Sequence, residues 1–373
     1  MHQRETERAD LQHLLMDGAS IHMPAPRRIG KTWTIDRLAG DLREAGCTVV
    51  QLDVEGMRTT RTFAENLCRQ IESQAPVMTR VKSHWYERLN TLLSGAWEKP
   101  LDGLAKLNPE TFIETLISAL HEDHRPTVIL IDEIAYFVLA LVEADPVQAK
   151  DFVYRLRSFQ QRYSNVRWLL TGSIGLDIIA RRYRLEGAFV DLQTYVLRPL
   201  SPEAARSLLR DPAFGTKFAA TSDDNLNWML ADIGWLAPYY LRLVTREVRL
   251  ATSAAGTPQP SAGRAEIDAA LEAMLHPNHR MVFAVWREHV EKNFTQAEAA
   301  LAFPMLARLS DHRDGERVET LHTVATAIQG SISIGDVKKV LQMLCDADLL
   351  TCRDGRYAFL SNLVRRHWQK YQT

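Results

Sequence analysis

Eight residues near the N-terminus, Ala25-Pro-Arg-Arg-Ile-Gly30-Lys31-Thr32, restrict the fold of this chain more than any other stretch. They follow a short strand pattern, Ser20-Ile-His-Met23, and lead into a helical pattern over residues 31–45. The text matches G-x-x-x-x-G-K-[ST] except that Ala25 replaces the first glycine. A loop of this kind, between a strand and a helix, converges backbone N–H groups and the positive end of a helix on phosphate oxygens. Ala25 precedes proline, which biases it toward extended backbone, a geometry that alanine adopts without strain. GKT also occurs by chance at helix starts, so the loop needs support from elsewhere in the chain.

That support begins with order. A helix pattern over residues 5–16 ends at Gly18, and after the loop come a strand over 47–54 and a helix over 60–73. Residues 75–108 interrupt the rhythm with Trp85, Tyr86, Trp97, Pro100 and Gly103 and read as an irregular or helical insertion. A helix over 109–121 then precedes Pro126-Thr-Val-Ile-Leu-Ile-Asp132, a run too continuously apolar for a strand with one wet face. A helix over 147–163, a strand over 166–171, a helix over 176–184 and a strand over 190–197 follow. Strands alternating with helices predict an α/β fold with a parallel sheet.

The strand ending in Asp132-Glu133 delivers two carboxylates to its C-terminal end, where ligands bind in open parallel sheets. In phosphoryl transfer, Asp132 and the Thr32 hydroxyl would serve Mg²⁺, and Lys31 would neutralise the β and γ phosphates. Glu133 would polarise the attacking water. The competing reading makes Asp132 and Glu133 a cap for the next helix. Thr171-Gly172-Ser173 ends another buried strand in hydroxyls that can sense a γ-phosphate, or simply make a turn. The candidate catalytic residues are therefore Glu133, Lys31 and Ser173; the nucleotide-binding set is Arg28, Ile29, Gly30, Lys31, Thr32 and Trp33; the metal set is Thr32 and Asp132. The expected ligands are ATP or ADP and Mg²⁺.

These motifs resemble the archaeal-type ATPase family of STAND P-loop NTPases, relatives of the AAA+ and origin-recognition proteins. The resemblance rests on Arg27-Arg28-x-Gly30-Lys31-Thr32, Leu130-Ile-Asp132-Glu133 and Leu170-Thr-Gly172-Ser173-x-Gly175-Leu176. It extends to Leu197-Arg-Pro-Leu200-Ser-Pro-Glu-Ala204, Gly234 and Pro238-Tyr239-Tyr240-Leu241. It implies an ASCE-type sheet over residues 1–200, a helical lid over 201–290 that brings Pro238 to the nucleotide, and a winged helix over 291–373. Ala25, Trp33 and the wide Gly234-Trp-Leu-Ala-Pro238 spacing depart from the family pattern. The implied activity is a Mg-dependent ATPase acting as a molecular switch on a partner protein or on its own oligomer, as in bacterial defence or signalling. The alternative is a DNA-binding ATPase of the origin-recognition or transposition kind.

Residue patterns beyond the core are compatible with both. Ser201-Pro-Glu-Ala opens a helix with serine as cap and proline in the first turn, and residues 254–263 are Pro/Gly/Ser-rich, as a linker is. Helices over 296–310, 320–329 and 334–347 precede two apolar runs joined by Arg353-Asp-Gly-Arg356, a strong hairpin signal. Lys338, Lys339, Arg353, Arg356, Arg365, Arg366 and Lys370 supply basic groups for phosphate contacts, interleaved with Asp336, Asp346, Asp348 and Asp354. Net charge is −1, so no chain-wide basic field announces nucleic acid. Trp235, Tyr239 and Tyr240 can stack on adenine or simply fill a core. Arg181, Arg182 and Arg184 offer an arginine finger or a solvated face. The four cysteines form no CxxC pair, the N-terminus Met1-His-Gln-Arg-Glu is polar, and no apolar run approaches membrane-span length. A cytoplasmic protein with no membrane partner is expected.

Overall fold

Leu11 and Leu15, one helical turn apart, bury themselves from helix α1 (Glu5–Met16). Strand β1 (Ile21–Pro24) then runs into the phosphate loop, and helix α2 (Lys31–Glu44) starts directly after Gly30. Gly30 has φ +97°, a left-handed conformation that favours glycine. The computed structural model describes residues 4–25, 28–73, 107–123, 125–172, 175–211, 214, 218, 220–254 and 262–371. The insertion expected over 75–108 and the linker over 254–263 thus lie almost wholly outside the described residues.

The chain divides into two compact units, one of Arg4–Ala25 and Lys31–Leu197. The other comprises Arg198–Thr373 and the Pro26–Gly30 segment, of which residues 28–30 are described. In the first unit, β2 (Thr48–Asp53), α3 (Thr60–Ser73), α4 (Pro109–Glu122) and β3 (Thr127–Asp132) follow. Next come α5 (Ile134–Ala144), α6 (Pro146–Arg162), β4 (Val166–Gly172), α7 (Leu176–Tyr183) and β5 (Gln193–Thr194). Segment α5 is apolar on every side in sequence, so it carries no amphipathic signature that would announce a helix.

The five strands are parallel, in the order β2-β3-β4-β1-β5. Strand β4 therefore sits between the strand that feeds the phosphate loop and the strand that ends in acid. Residues 127–131 of β3 are all buried, as its unbroken apolar run requires. Phe63 of α3 stacks on Phe137 of α5 at 5.5 Å and meets Phe152 of α6 edge-on at 5.5 Å. Each fully buried ring contributes about 1.5–3 kcal/mol. This core stiffens the sheet whose C-terminal ends carry the polar residues.

The strand expected over 190–197 shrinks to two residues. It is the edge of the sheet, with Val190 and Val196 exposed and Asp191 held by Arg157 at 2.7 Å and Gln161 at 2.8 Å. Charge and brevity blunt an edge strand in this way.

The second unit is built of α8 (Pro202–Arg210), α9 (Asp223–Ile233), α10 (Pro238–Ala254), α11 (Arg264–Ala273), α12 (Arg280–Asn293) and α13 (Gln296–Asp311). It continues with β6 (Glu316–Arg317), α14 (Val318–Gln329), α15 (Ile334–Asp346), β7 (Leu350–Arg353), β8 (Arg356–Phe359) and α16 (Asn362–Tyr371). Ser201 caps α8 by accepting from Ala204 N at 3.1 Å, as its sequence predicts. Asp354 and Gly355 take φ +50° and +74°, the geometry of a tight hairpin turn. The hairpin β7–β8 gains a third strand, β6, in the order β6-β8-β7. Gly234, at φ +70°, lets the C-terminal end of α9 approach the chain before α16: a Cβ there would lie 2.6 Å from the Leu360 carbonyl oxygen. This close approach is what the structure gives as Gly234's role.

Candidate functional site

Four strands of the first unit finish at the same end of the sheet and bring polar groups there. The register pairs Met23 with Thr171, Pro24 with Gly172 and Asp53 with Asp132, so the C-terminal ends of β1, β2, β3 and β4 lie together. Ala25 N donates to Gly172 O at 3.2 Å, continuing the β1–β4 ladder. That is extended backbone, as expected from the proline that follows.

Lys31, at the first position of α2, is buried to 7% exposure. Its Nζ lies 2.7 Å from Asp132 Oδ1 and forms a short ion pair with Glu133 Oε1. Thr32 Oγ1 donates to Asp132 Oδ2 at 3.1 Å, and Thr171 Oγ1 donates to Asp132 Oδ1 at 2.7 Å. The Asp132 side chain also accepts from Glu133 N at 2.9 Å. Burial opposes ionisation of this carboxyl, but the charge of Lys31 and hydrogen bonds from Lys31, Thr171 and Thr32 together hold it below the usual range. Asp132 is thus an anion fixed in orientation by four donors.

Glu133 is buried and sits at φ +60°, a left-handed conformation uncommon for a residue with a side chain. It occupies the N-cap position of α5, yet its side chain makes no capping hydrogen bond. The capping explanation of the acidic pair therefore fails for Glu133, whose carboxylate is turned to Lys31 instead. Strain of this kind costs about 1–3 kcal/mol and persists where the surroundings over-determine it.

Thr32 and Asp132 present hydroxyl and carboxylate oxygens side by side, the hard donor set that Mg²⁺ takes with water and phosphate oxygens. Among the described residues there is no group of three or more His, Cys, Asp or Glu side chains that could hold a metal. A magnesium ion shared with a nucleotide needs none.

Ile29 is fully buried, and Trp33 is half-buried with Arg37 over its ring at 5.7 Å. Ser173 lies outside the described residues; Thr171, one strand position before Gly172, is the hydroxyl brought into the cluster. Arg181, Arg182 and Arg184 are all exposed. In the second unit, Pro238 opens α10 and Arg28 packs on α10 and α12: its guanidinium lies 4.6 Å from the Tyr239 ring centroid and donates to Val282 O. Trp235 and Tyr240 are buried, in edge-to-face contact with each other at 5.6 Å, so both are core residues. Nothing local in the sequence signals the Arg28 contact with Val282, because the partners are 254 residues apart.

A parallel α/β sheet, a Gly-Lys-Thr loop at the end of β1 and an acidic pair at the end of β3 define the P-loop NTPase fold. Residues 17–179, rather less than half of the chain, match the model of the AAA domain family. Among solved structures, the chain is similar to a Walker-type ATPase of Pyrococcus abyssi, with TM-score 0.64 and 13% identity over 98% of this chain and 95% of that one. It is also similar to the ORC2 protein of Aeropyrum pernix in its ADPNP-ADP complexes, with TM-score 0.59 and 11% identity over 99% of this chain and 93% of that one. At such identities the likeness is one of fold. Comparison with curated proteins gives no match. No helix among the described residues is long and apolar enough to cross a membrane.

Proposed function

We propose that the chain binds ATP with Mg²⁺ and hydrolyses it, and that nucleotide state governs its engagement of a partner protein or of further copies of itself. The observation that carries the reading is the cluster of Lys31, Thr32, Asp132, Glu133 and Thr171 at the C-terminal ends of β1, β3 and β4. In it, Lys31 meets the β and γ phosphates at the start of α2, where the helix end adds its own positive potential. Thr32 and Asp132 would hold Mg²⁺, which would supply neutralisation of charge on the phosphate oxygens. Glu133 is the group that accepts a proton from the attacking water, and Thr171 keeps Asp132 oriented. Arg28, Ile29, Gly30 and Trp33 complete the loop's surroundings, with Ser173 two residues after Thr171 in sequence.

In the same reading, residues 201–290 act as a helical lid with Pro238 near the nucleotide, and residues 291–373 as a winged helix, in the manner of STAND switches. The helices α13, α14 and α15 and the β6-β8-β7 sheet support the last assignment. The basic residues that a DNA-binding winged helix would use are largely engaged internally. Lys339 pairs with Glu298 at 2.8 Å, and Arg356 donates to Gly315 O at 2.7 Å. Arg365 donates to Ser310 O, Arg366 pairs with Glu272, and Lys370 donates to Leu275 O at 3.1 Å. A protein partner is therefore preferred to DNA.

The test is Lys31→Ala in an ATP titration by calorimetry. ATP affinity falls at least tenfold while the fold is retained; affinity equal to the parent's removes the P-loop assignment.

A further inference from the structure

Arg28 lies two residues before Gly30 and has φ +72°. For a residue with a Cβ this conformation is disfavoured by contact with the following carbonyl oxygen, so something must hold it there. Its side chain shows what does. Nη1 donates to the carbonyl of Val282 in the first turn of α12, and Nη2 lies 3.5 Å from the carbonyl of Met281. The guanidinium covers the ring of Tyr239 in the first turn of α10, 4.6 Å from its centroid. Burial pushes the Tyr240 hydroxyl up to about 12, while Arg28 and a hydrogen bond from Trp286 pull the other way.

These residues belong to one unit and continue into its aromatic interior. Tyr239 meets Tyr240 edge-on at 5.9 Å, Tyr240 lies against Phe283 at 5.7 Å, and Phe283 stacks on His367 of α16 at 4.5 Å. Trp286 Nε1 donates to the Tyr240 hydroxyl at 2.9 Å, fixing α12 to α10 at the level of the arginine. Residues 28–30 of the phosphate loop are thus joined through Arg28 to a stack that ends on α16.

We infer that Arg28 is a positioning residue: anchored on Tyr239 and the Val282 carbonyl of its own unit, it sets the backbone of the phosphate loop over residues 28–30. The inference rests on the ATP-binding reading above. Arginine suits the role because its planar fork can stack on an aromatic face and donate in its own plane at the same time, which an ammonium group cannot. A cation over a tyrosine face is attracted by the ring quadrupole, the more so where water is excluded. A charge-assisted bond to a carbonyl adds to this. Both act against the left-handed strain. Tyr239 is the most exposed member of the stack, at 36%, so it can be changed without opening the core.

The experiment is a double-mutant cycle on the full chain, read by ATP affinity and by kcat and KM for hydrolysis. Arg28→Ala and Tyr239→Leu each weaken ATP binding three- to tenfold, and the double variant is no weaker than the worse single one. Tyr239→Phe keeps the aromatic face and stays within twofold of the parent, whereas Arg28→Lys keeps the charge and behaves like Arg28→Ala. The losses fall in KM, with kcat within twofold, since the reacting groups are untouched. Additive losses, equal effects of Tyr239→Phe and Tyr239→Leu, or rescue by Arg28→Lys would each overturn the inference. A parent protein that binds no ATP at all overturns the reading it rests on instead, so the two failures are distinct.

Discussion

Replacing Glu133 by glutamine separates holding the nucleotide from cleaving it. The amide keeps the shape of the side chain and removes its capacity to take a proton. A positioned general base contributes about 10²- to 10⁴-fold to rate, which is about 2.7–5.4 kcal/mol of barrier at about 1.36 kcal/mol per tenfold. Turnover at saturating ATP therefore falls by that factor. Binding moves the other way. In the native cluster Lys31 is shared between Glu133 and Asp132, and phosphate oxygens compete with both carboxylates for it. Stripping a buried charge of every partner costs about 3–5 kcal/mol, but Glu133→Gln leaves Asp132 at 2.7 Å, so that penalty does not arise. What is lost is the excess of a charge-assisted hydrogen bond over a neutral one, about 1 kcal/mol. Unfolding free energy drops by about that amount, and ATP affinity stays equal or tightens by up to about fivefold. Phosphate release in single turnover and a fluorescent-nucleotide titration measure the two effects. Hydrolysis within threefold of the parent would place the base elsewhere, and a tenfold loss of ATP affinity would show that Glu133 is needed to build the loop.

Thr171→Val removes the buried hydroxyl that donates to Asp132 at 2.7 Å and lowers stability in urea unfolding by about 1.5–3 kcal/mol; a change under 0.5 kcal/mol refutes the bond's importance. Gly234→Ala combines φ +70° with a Cβ 2.6 Å from the Leu360 carbonyl oxygen, and lowers unfolding free energy by more than about 2 kcal/mol. A neutral result in the same assay would mean that α9 and α16 do not meet as described. The imidazole of His367 is pulled down to about 4 by burial and by the charges of Arg280 and Lys370. It stays neutral in the fold while the unfolded chain takes up a proton near 6.5, so stability falls as pH drops from about 6.5 to about 4 and this contribution levels off below. The full loss is on the order of 3 kcal/mol. His367→Phe, which preserves an aromatic ring against Phe283, flattens that part of the stability–pH curve; an unchanged slope between pH 4 and 6.5 would assign it to other groups.

Local chemistry made much of this protein legible in advance. The glycine, lysine and threonine after β1 are dictated by what a phosphate loop must offer. The unbroken apolar run before Asp132 is short and rich in β-branched residues, which suits a strand buried on both faces. Ser201-Pro202 and Asp354-Gly355 mark a helix start and a hairpin because their backbone preferences act within a few residues. The sequence therefore set the parallel α/β class, the phosphate loop and the acidic strand end.

Tertiary structure decided the rest, wherever the partners are distant in the chain. Only strand order puts β4 beside both β1 and β3, and so turns Thr171 into a donor to Asp132 from 39 residues away. The carboxylate of Glu133 can serve a cap or a lysine, and the choice fell to Lys31, 102 residues earlier. The segment over 190–197 is apolar enough for a longer strand, but its place at a charged, exposed edge left it two residues. Arg28 reads in sequence as a phosphate ligand; the left-handed backbone and the face of Tyr239 make it an anchor for the loop. In each case propensity fixes what a residue can do, while packing across more than thirty residues fixes what it touches.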